Sequence, residues 1–313
     1  MKFPVFDLHC DTAKDLIGPA GEDHSKLKKN QVHIDLERAG QLPGYAQCFA
    51  CCTTTSTKVN PVDYFEKKMV AVLREIDKNK NVIRQAFSAD EIERNREEGI
   101  MSAILTIEGP AGFGFDPELL EDLYKIGFRM SSLGWNEQNP LTGSHVTGGG
   151  LTDLGRIYLK EMQRLGMIVD VSHISDQGFW DIIDISEGPV VATHSNSRHV
   201  HHVTRNVTDD MFRAICASGG VVGINLYPDF LGEKANLDTV CDHIFHLLEI
   251  DTDCRHISLG ADLDGVAYLP EGFAGVQDYP KLSDRLLERG LREDMVYRIF
   301  WSNAISVFQK CCI

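Results

Sequence analysis

Ile168-Val169-Asp170-Val171-Ser172-His173 is a short apolar run, preceded by Gly166, that ends in a histidine. The next apolar run, Val190-Val191-Ala192-Thr193-His194-Ser195, ends the same way. Three more segments share the form: Phe6-Asp7-Leu8-His9-Cys10-Asp11, Ile104-Leu105-Thr106-Ile107-Glu108-Gly109 and Leu259-Gly260-Ala261-Asp262-Leu263-Asp264-Gly265. Apolar runs of this length, bounded by Gly or Pro, read as strands of a parallel sheet buried on both faces. A carboxylate or imidazole at the end of such a strand is costly unless something pairs with it. Five such ends describe one shared site, and their residue types describe a metal.

Working outward, apolar runs recur at 5–8, 45–52, 103–107, 128–133, 167–171, 190–193, 221–226 and 257–259, which makes eight expected strands. Helical patterns fall between most of them, at 61–79, 88–98, 117–126, 153–165, 175–185, 208–217, 237–250 and 293–307. Ser88 and Glu91 have capping-box spacing, and Gly127, Gly166, Gly219 and Gly220 are natural helix stops. The alternation predicts an α/β fold, a (β/α)8 TIM-like barrel in a single domain over 1–313. An open doubly wound sheet is the rival, but no Gly-rich dinucleotide or phosphate loop follows any strand. The ligand positions also spread over strands one, three, five, six and eight, and only a closed barrel brings those ends to one mouth. The Gly-rich stretch 134–155 reads as a long loop over that mouth.

The chain has 313 residues, 43% hydrophobic and 25% charged, enough for a large core. Its net charge of -15, from 46 acidic and 31 basic residues, argues against nucleic acid or an anionic membrane as partner. Nine cysteines, two pairs of them adjacent and none in a CxxC, fit reduced thiols in a cytoplasmic protein. His9 stands too near the start to leave room for a signal peptide, and no apolar stretch has the length of a membrane span.

His9 and Asp11 are two apart, so on a strand both point the same way and can grip one cation. Glu108 shares parity with Ile104 and Thr106 and faces the lumen if they do. His173 and His194 end neighbouring strands, and neutral imidazole is a common zinc ligand. Each of these alone is more often a satisfied structural residue; their joint recurrence is what favours a metal. Asp262 and Asp264 share parity, one suited to carry a proton and the other to cap the turn at Gly265. Arg205 can grip a carboxylate bidentately, although a surface arginine on a loop fits its position equally well. Tyr227, after strand seven, is a candidate for lining the pocket. His199, His201 and His202 read as solvated loop, and His24, His33, His243, His246 and His256 as ordinary histidines. Asp170 has no role in this reading.

The ordered set Asp7-Leu8-His9-Cys10-Asp11, Ile107-Glu108-Gly109, Gly166-Met167-Ile168-Val169-Asp170-Val171-Ser172-His173, Ala192-Thr193-His194-Ser195, Arg205-Asn206-Val207-Thr208-Asp209-Asp210 and Gly260-Ala261-Asp262-Leu263-Asp264-Gly265 resembles the membrane (renal) dipeptidase family of zinc dipeptidases, from Phe6 to Phe308. The resemblance implies two Zn²⁺ ions, one on His9 and Asp11, the other on His173 and His194, bridged by Glu108. It makes Asp262 the proton shuttle and Arg205 the partner of the dipeptide's C-terminal carboxylate. A homodimer is a further family expectation. Soluble bacterial-type members are the better match, because the signal peptide and anchor signal of the lipid-anchored ones are missing. Better-studied members carry a histidine after strand four that helps hold the substrate carbonyl; here Trp135 takes its place, with His145 nearby as a substitute. That departure keeps a lactonase or phosphoesterase on the same metal pair as a second reading. A non-catalytic metal-binding barrel is a third, disfavoured because structural zinc is usually closed by four protein ligands.

Overall fold

The computed structural model describes residues 3–18 and 24–312. Among the described residues there are nine strands: β1 (Val5–Cys10), β2 (Tyr45–Thr53), β3 (Ile83–Gln85), β4 (Met101–Pro110), β5 (Phe128–Ser132), β6 (Ile168–Asp170), β7 (Val190–Ser195), β8 (Val222–Ile224) and β9 (Ile257–Leu259). Eight of them, all parallel, run β2-β1-β9-β8-β7-β6-β5-β4 and close through β4 onto β2. This is the expected TIM barrel. The ninth, β3, lies outside it. It pairs with the start of β4 (Ile83 with Met101), below the point where β5 takes over the same edge (Leu105 with Phe128). Only Ile83 of its three residues is buried, so no apolar run advertised it.

The helices at Asp153–Leu165 and Leu237–Ile250 match their expected bounds. Ser88 caps its helix by accepting the Glu91 N–H. The Glu91 carboxylate reaches back to Phe87 N–H rather than to Ser88, so the reciprocal half of the capping box is displaced by one residue. The expected 293–307 helix is instead Glu293–Tyr297, a π-helical turn Arg298–Ser302, and Asn303–Cys311. A further helix, Tyr279–Glu288, is not among the expected ones.

Two apolar layers hold the barrel. The larger lies between strands and helices. The second fills the lumen and its floor: Phe6, Leu8, Ala46, Cys48, Ile104, Met130, Ile168 and Val191 meet Trp301 and Phe308 from the final helical segment. Phe6 packs 5.3 Å from Phe308 and 5.9 Å from Trp301, centroid to centroid. A side-chain floor of this kind leaves only the carboxyl-terminal mouth open to chemistry.

At that mouth the strand register slips where chemistry is needed. On β1 the three steps from Asp7 to Cys10 run against two steps of β2, Gln47 to Phe49. On β7 the three steps from Ala192 to Ser195 run against two of β8. Beyond the pair Cys52 with Glu108, Thr53 pairs with Pro110 and skips Gly109. Such bulges re-aim side chains. Leu8 already faces the lumen, so strict alternation would turn His9 outward; the inserted residue brings it in. Gly109 has φ of 70°, and a Cβ there would lie 2.3 Å from the Thr53 carbonyl oxygen, so this bulge requires glycine.

Replacing Phe308→Ala empties the floor against Phe6 and is expected to cost about 3–5 kcal/mol of stability. The urea midpoint should fall at unchanged m-value. A shift under roughly 1 kcal/mol would mean that the floor collapses around the gap.

Candidate metal centre

Glu108 sits at the middle of the mouth. Its Oε1 lies 2.9 Å from His173 Nε2 and 3.4 Å from His194 Nε2. Its Oε2 lies 3.5 Å from His9 Nε2, which is also 3.8 Å from Asp262 Oδ1 and 4.0 Å from Asp11 Oδ2. His9 and His194 stack at 3.8 Å, and the Nε2 atoms of His173 and His194 are 2.9 Å apart. Every ligand expected from the sequence is therefore in one cluster. Two details differ from the reading above. Asp11 is not on the strand but begins the short helix Thr12–Asp15, and His173 lies three residues beyond β6 with φ of 69°. Asp262 and Asp264 also have positive φ, 61° and 65°. For residues other than Gly such backbone is strained and persists only where the surroundings impose it.

Hydrogen bonds around the cluster fix which ring nitrogens carry protons. Asp170 accepts from Ser172 N–H (2.9 Å), Thr193 N–H (3.0 Å) and the Thr193 hydroxyl (2.6 Å). With its proton given to Asp170, Thr193 Oγ1 must accept from His194 Nδ1, 2.7 Å away. Asn136 Oδ1 accepts from His173 Nδ1 at 2.7 Å and from His145 Nε2 at 2.9 Å. Nε2 of both His173 and His194 is then a bare lone pair aimed at the other and at Glu108. Acceptors facing acceptors in a buried site repel unless a cation lies among them. His9 Nε2 and Glu108 Oε2 are buried with no hydrogen-bond partner. The donor set of imidazoles and carboxylates suits a divalent first-row metal, so the residues fit a metal centre.

The electrostatics agree. Burial opposes a charge on His9, but Glu108, Asp262 and Asp11 outweigh it and hold the imidazole up to about 10. Burial pushes His173 down to about 3, helped by Arg205, and drives His194 down as well, with His9 and Arg205 adding to the effect. Glu108 is driven well below the ordinary range: burial opposes this, but the charge held on His9 prevails. Asp262 is lifted to about 7 by burial, against the pull of His9 and with the repulsion of Asp11 and Glu108.

Arg205 is not a surface residue. It is 4% exposed, donates through Nη1 to Ser195 Oγ at 2.8 Å, and leaves Nε and Nη2 buried without partners. It also stands over the Phe230 ring. Trp135 and Tyr227 line a cavity of about 390 Å³ above the cluster, together with Asp11, Lys14, Cys52, Lys68, Asn136, Phe230 and Asp262. Asp262 Oδ2 accepts from Asn225 Nδ2 at 3.2 Å. Asp264 does not cap Gly265; it accepts from the Thr12 hydroxyl (2.6 Å) and His33 N–H (2.6 Å) and ties three segments together. His145 is held by Asn136 and Thr204. The residues the sequence reading missed are Asn136, Thr193 and Asn225. Asp170 gains a role as the base of the His194 relay. Its place in the chain, inside a strand and on the opposite parity from His173, did not disclose that role.

The chain belongs to the membrane dipeptidase family (peptidase family M19), whose model matches residues 1–311. It is 36% identical over 216 residues to an uncharacterised dipeptidase of Schizosaccharomyces pombe, covering 67% of this chain and 53% of that one, so it spans about half that relative's length. It is 33% identical to the uncharacterised protein of the pqqA 5′ region of Klebsiella pneumoniae, over 80% of this chain and 97% of the relative. A metallo peptidase from Rhodobacter sphaeroides, solved with a phosphinate mimic of L-Ala-D-Ala, superposes with a TM-score of 0.90 at 27% identity, covering 99% of each chain. Membership of this family makes the chain a hydrolase of the dipeptidase class.

Asp170→Asn removes one acceptor from the relay that orients His194. Changing partners of metal-bound histidines typically weakens metal binding about 10–100-fold. Competition against a chromophoric chelator should show a loss of that size with the circular dichroism intact. Unaltered affinity would show that His194 is positioned without Asp170.

Proposed function

We propose that this chain is a dipeptidase that works with two Zn²⁺ ions, His9 and Asp11 holding one, His173 and His194 the other, and Glu108 serving both. The observation that carries this reading is the buried guanidinium of Arg205, with two nitrogens unpaired, lining one recess with the metal donor His173. A buried fork of this kind matches a carboxylate, and the free carboxylate nearest a scissile bond is that of a dipeptide. When bound, such a metal pair acidifies a water and polarises the carbonyl. Arg205 fixes the substrate's carboxylate and so excludes longer chains. Asp262, held by Asn225, takes the proton released at the attacking water and delivers it to the leaving amine. Asn136 keeps the lone pair of His173 directed at the site. Trp135 and Tyr227 wall the cavity, with one indole N–H available in place of the family's imidazole. His145 does not substitute, because both of its ring nitrogens are engaged. We place the enzyme in the cytoplasm on the strength of its nine free cysteines, and as a homodimer by family analogy. No helix among the described residues is long and apolar enough to cross a membrane.

The direct test is a panel of L-L and L-D dipeptides, with zinc-loaded protein against a chelated control. Release of free amino acids only in the loaded sample is expected. A protein shown to hold two metals that cleaves none of them would move the lactonase or phosphoesterase reading to first place.

Asp262→Asn should lower kcat by at least about 100-fold, the scale of a lost general base, while metal content stays at the wild-type level. Bound cations favour the ionised carboxylate, so the value of about 7 in the metal-free chain moves downward on loading. The base must be ionised to act, and the rate therefore falls as pH drops. The acid limb of kcat/KM is expected below pH 7, and a limb above 7 would exclude Asp262 as its source.

A further inference from the structure

Around the barrel, β2 and β7 are separated by three strands on either side (β1, β9 and β8 one way, β4, β5 and β6 the other), so they face each other across the mouth. Arg205 follows β7, and Cys52 is the last residue but one of β2. A dipeptide with its carboxylate on Arg205 spans about 7 Å when extended, and its N-terminal residue points across the metal cluster to the β2 side. Lys68 stands there, on the helix Pro61–Lys78 that follows β2.

Lys68 is 3% exposed, yet it lines the mouth cavity. Its Nζ donates to the Cys52 carbonyl at 2.5 Å and stands 4.2 Å from the Tyr64 ring centroid. No carboxylate ion-pairs with it within 4.0 Å among the described residues; the carboxylate it acts on electrostatically is Asp11, a metal ligand. Lys14 lines the same cavity, with Asp11, Asp15, Asp262 and Asp264 around it. A buried ammonium with only a carbonyl and a ring beside it is costly unless an anion arrives. Once cations occupy Asp11 and Glu108, their negative charge is spent and Lys68 remains uncompensated. We propose that Lys68, supported by Lys14, forms a subsite for an acidic side chain on the N-terminal residue of the dipeptide. The proposal rests on the dipeptidase reading and narrows it to one substrate class.

The test compares kcat/KM for Glu-Ala, Ala-Ala and Lys-Ala in wild type, Lys68→Met, Lys68→Arg and Lys14→Met, all zinc-loaded with metal content measured. Wild type is expected to favour Glu-Ala over Lys-Ala by at least about tenfold, the scale of one hydrogen bond to a charged group. Lys68→Met should bring that ratio toward one, chiefly through KM; Lys68→Arg should keep it, and Lys14→Met should reduce it partly. No acidic preference in wild type overturns the proposal even if no variant folds. An equal loss on all three substrates, with the ratio intact or metal content reduced, also overturns it and leaves Lys68 as a counter-charge to Asp11. Failure of loaded wild type to cleave any of the three strikes the dipeptidase reading itself.

Discussion

The carboxylate of Glu108 is buried among three imidazole nitrogens, and the mouth of the barrel is organised to keep it there. Two of those nitrogens are lone pairs by necessity, because their rings spend the Nδ1 proton on Thr193 and Asn136. Without a cation the arrangement holds repulsion that the fold must absorb. A proton on His9 is the available stand-in, which is why that imidazole is held up to about 10. Its folded pKa exceeds its ordinary value of 6.5, so its support for the metal-free fold is complete below about 6.5 and is lost as pH climbs through 10. A metal replaces that proton and adds charge where the lone pairs converge, coupling metal binding to proton release.

The same constraint explains the irregular backbone. Regular strands alternate inward and outward, and regular alternation cannot bring both Leu8 and His9 inside. The bulges on β1 and β7, the skipped Gly109 on β4, and the left-handed conformations of His173 and Asp262 all sit at residues of the cluster. Each costs local stability, and each is supported by buried hydrogen bonds close by, such as those of Asp170. The floor beneath, built on Phe6, Phe308 and Trp301, supplies the rigid packing against which this strain is held.

Much of this was legible from residue order alone. Fully buried parallel strands leave continuous apolar runs, so β1, β2 and β4 to β9 were visible, and the ligands stood out as polar residues ending those runs. β3 was invisible because one buried residue makes no run. Register slips are also absent from a linear pattern, since a bulge is a relation between two strands. Arg205 looked like a loop cation because nothing local records that Ser195 and Phe230 close over it. Asn136 and Thr193 act only by fixing proton positions on residues distant in sequence, which requires the folded geometry.

The hydrogen-bond pattern at the mouth lets the metal donors and the pocket wall vary independently. The donors are coupled through shared hydrogen bonds: a change at His194 disturbs Thr193 and Asp170, and a change at His173 frees Asn136 and through it His145. Trp135 touches this network only at its edge, 6.0 Å from the His173 ring centroid, and Tyr227 packs against Phe230 and Tyr268 rather than against any donor. Residues outside the network can be exchanged without disturbing the cation sites. In the proposed reaction, electrostatic stabilisation of the developing oxyanion therefore rests on groups that the hydrogen-bond network holds rigid, whereas the choice of side chain rests on the cavity wall. Bond cleavage and substrate selection are in this way assigned to separate sets of residues within one barrel mouth.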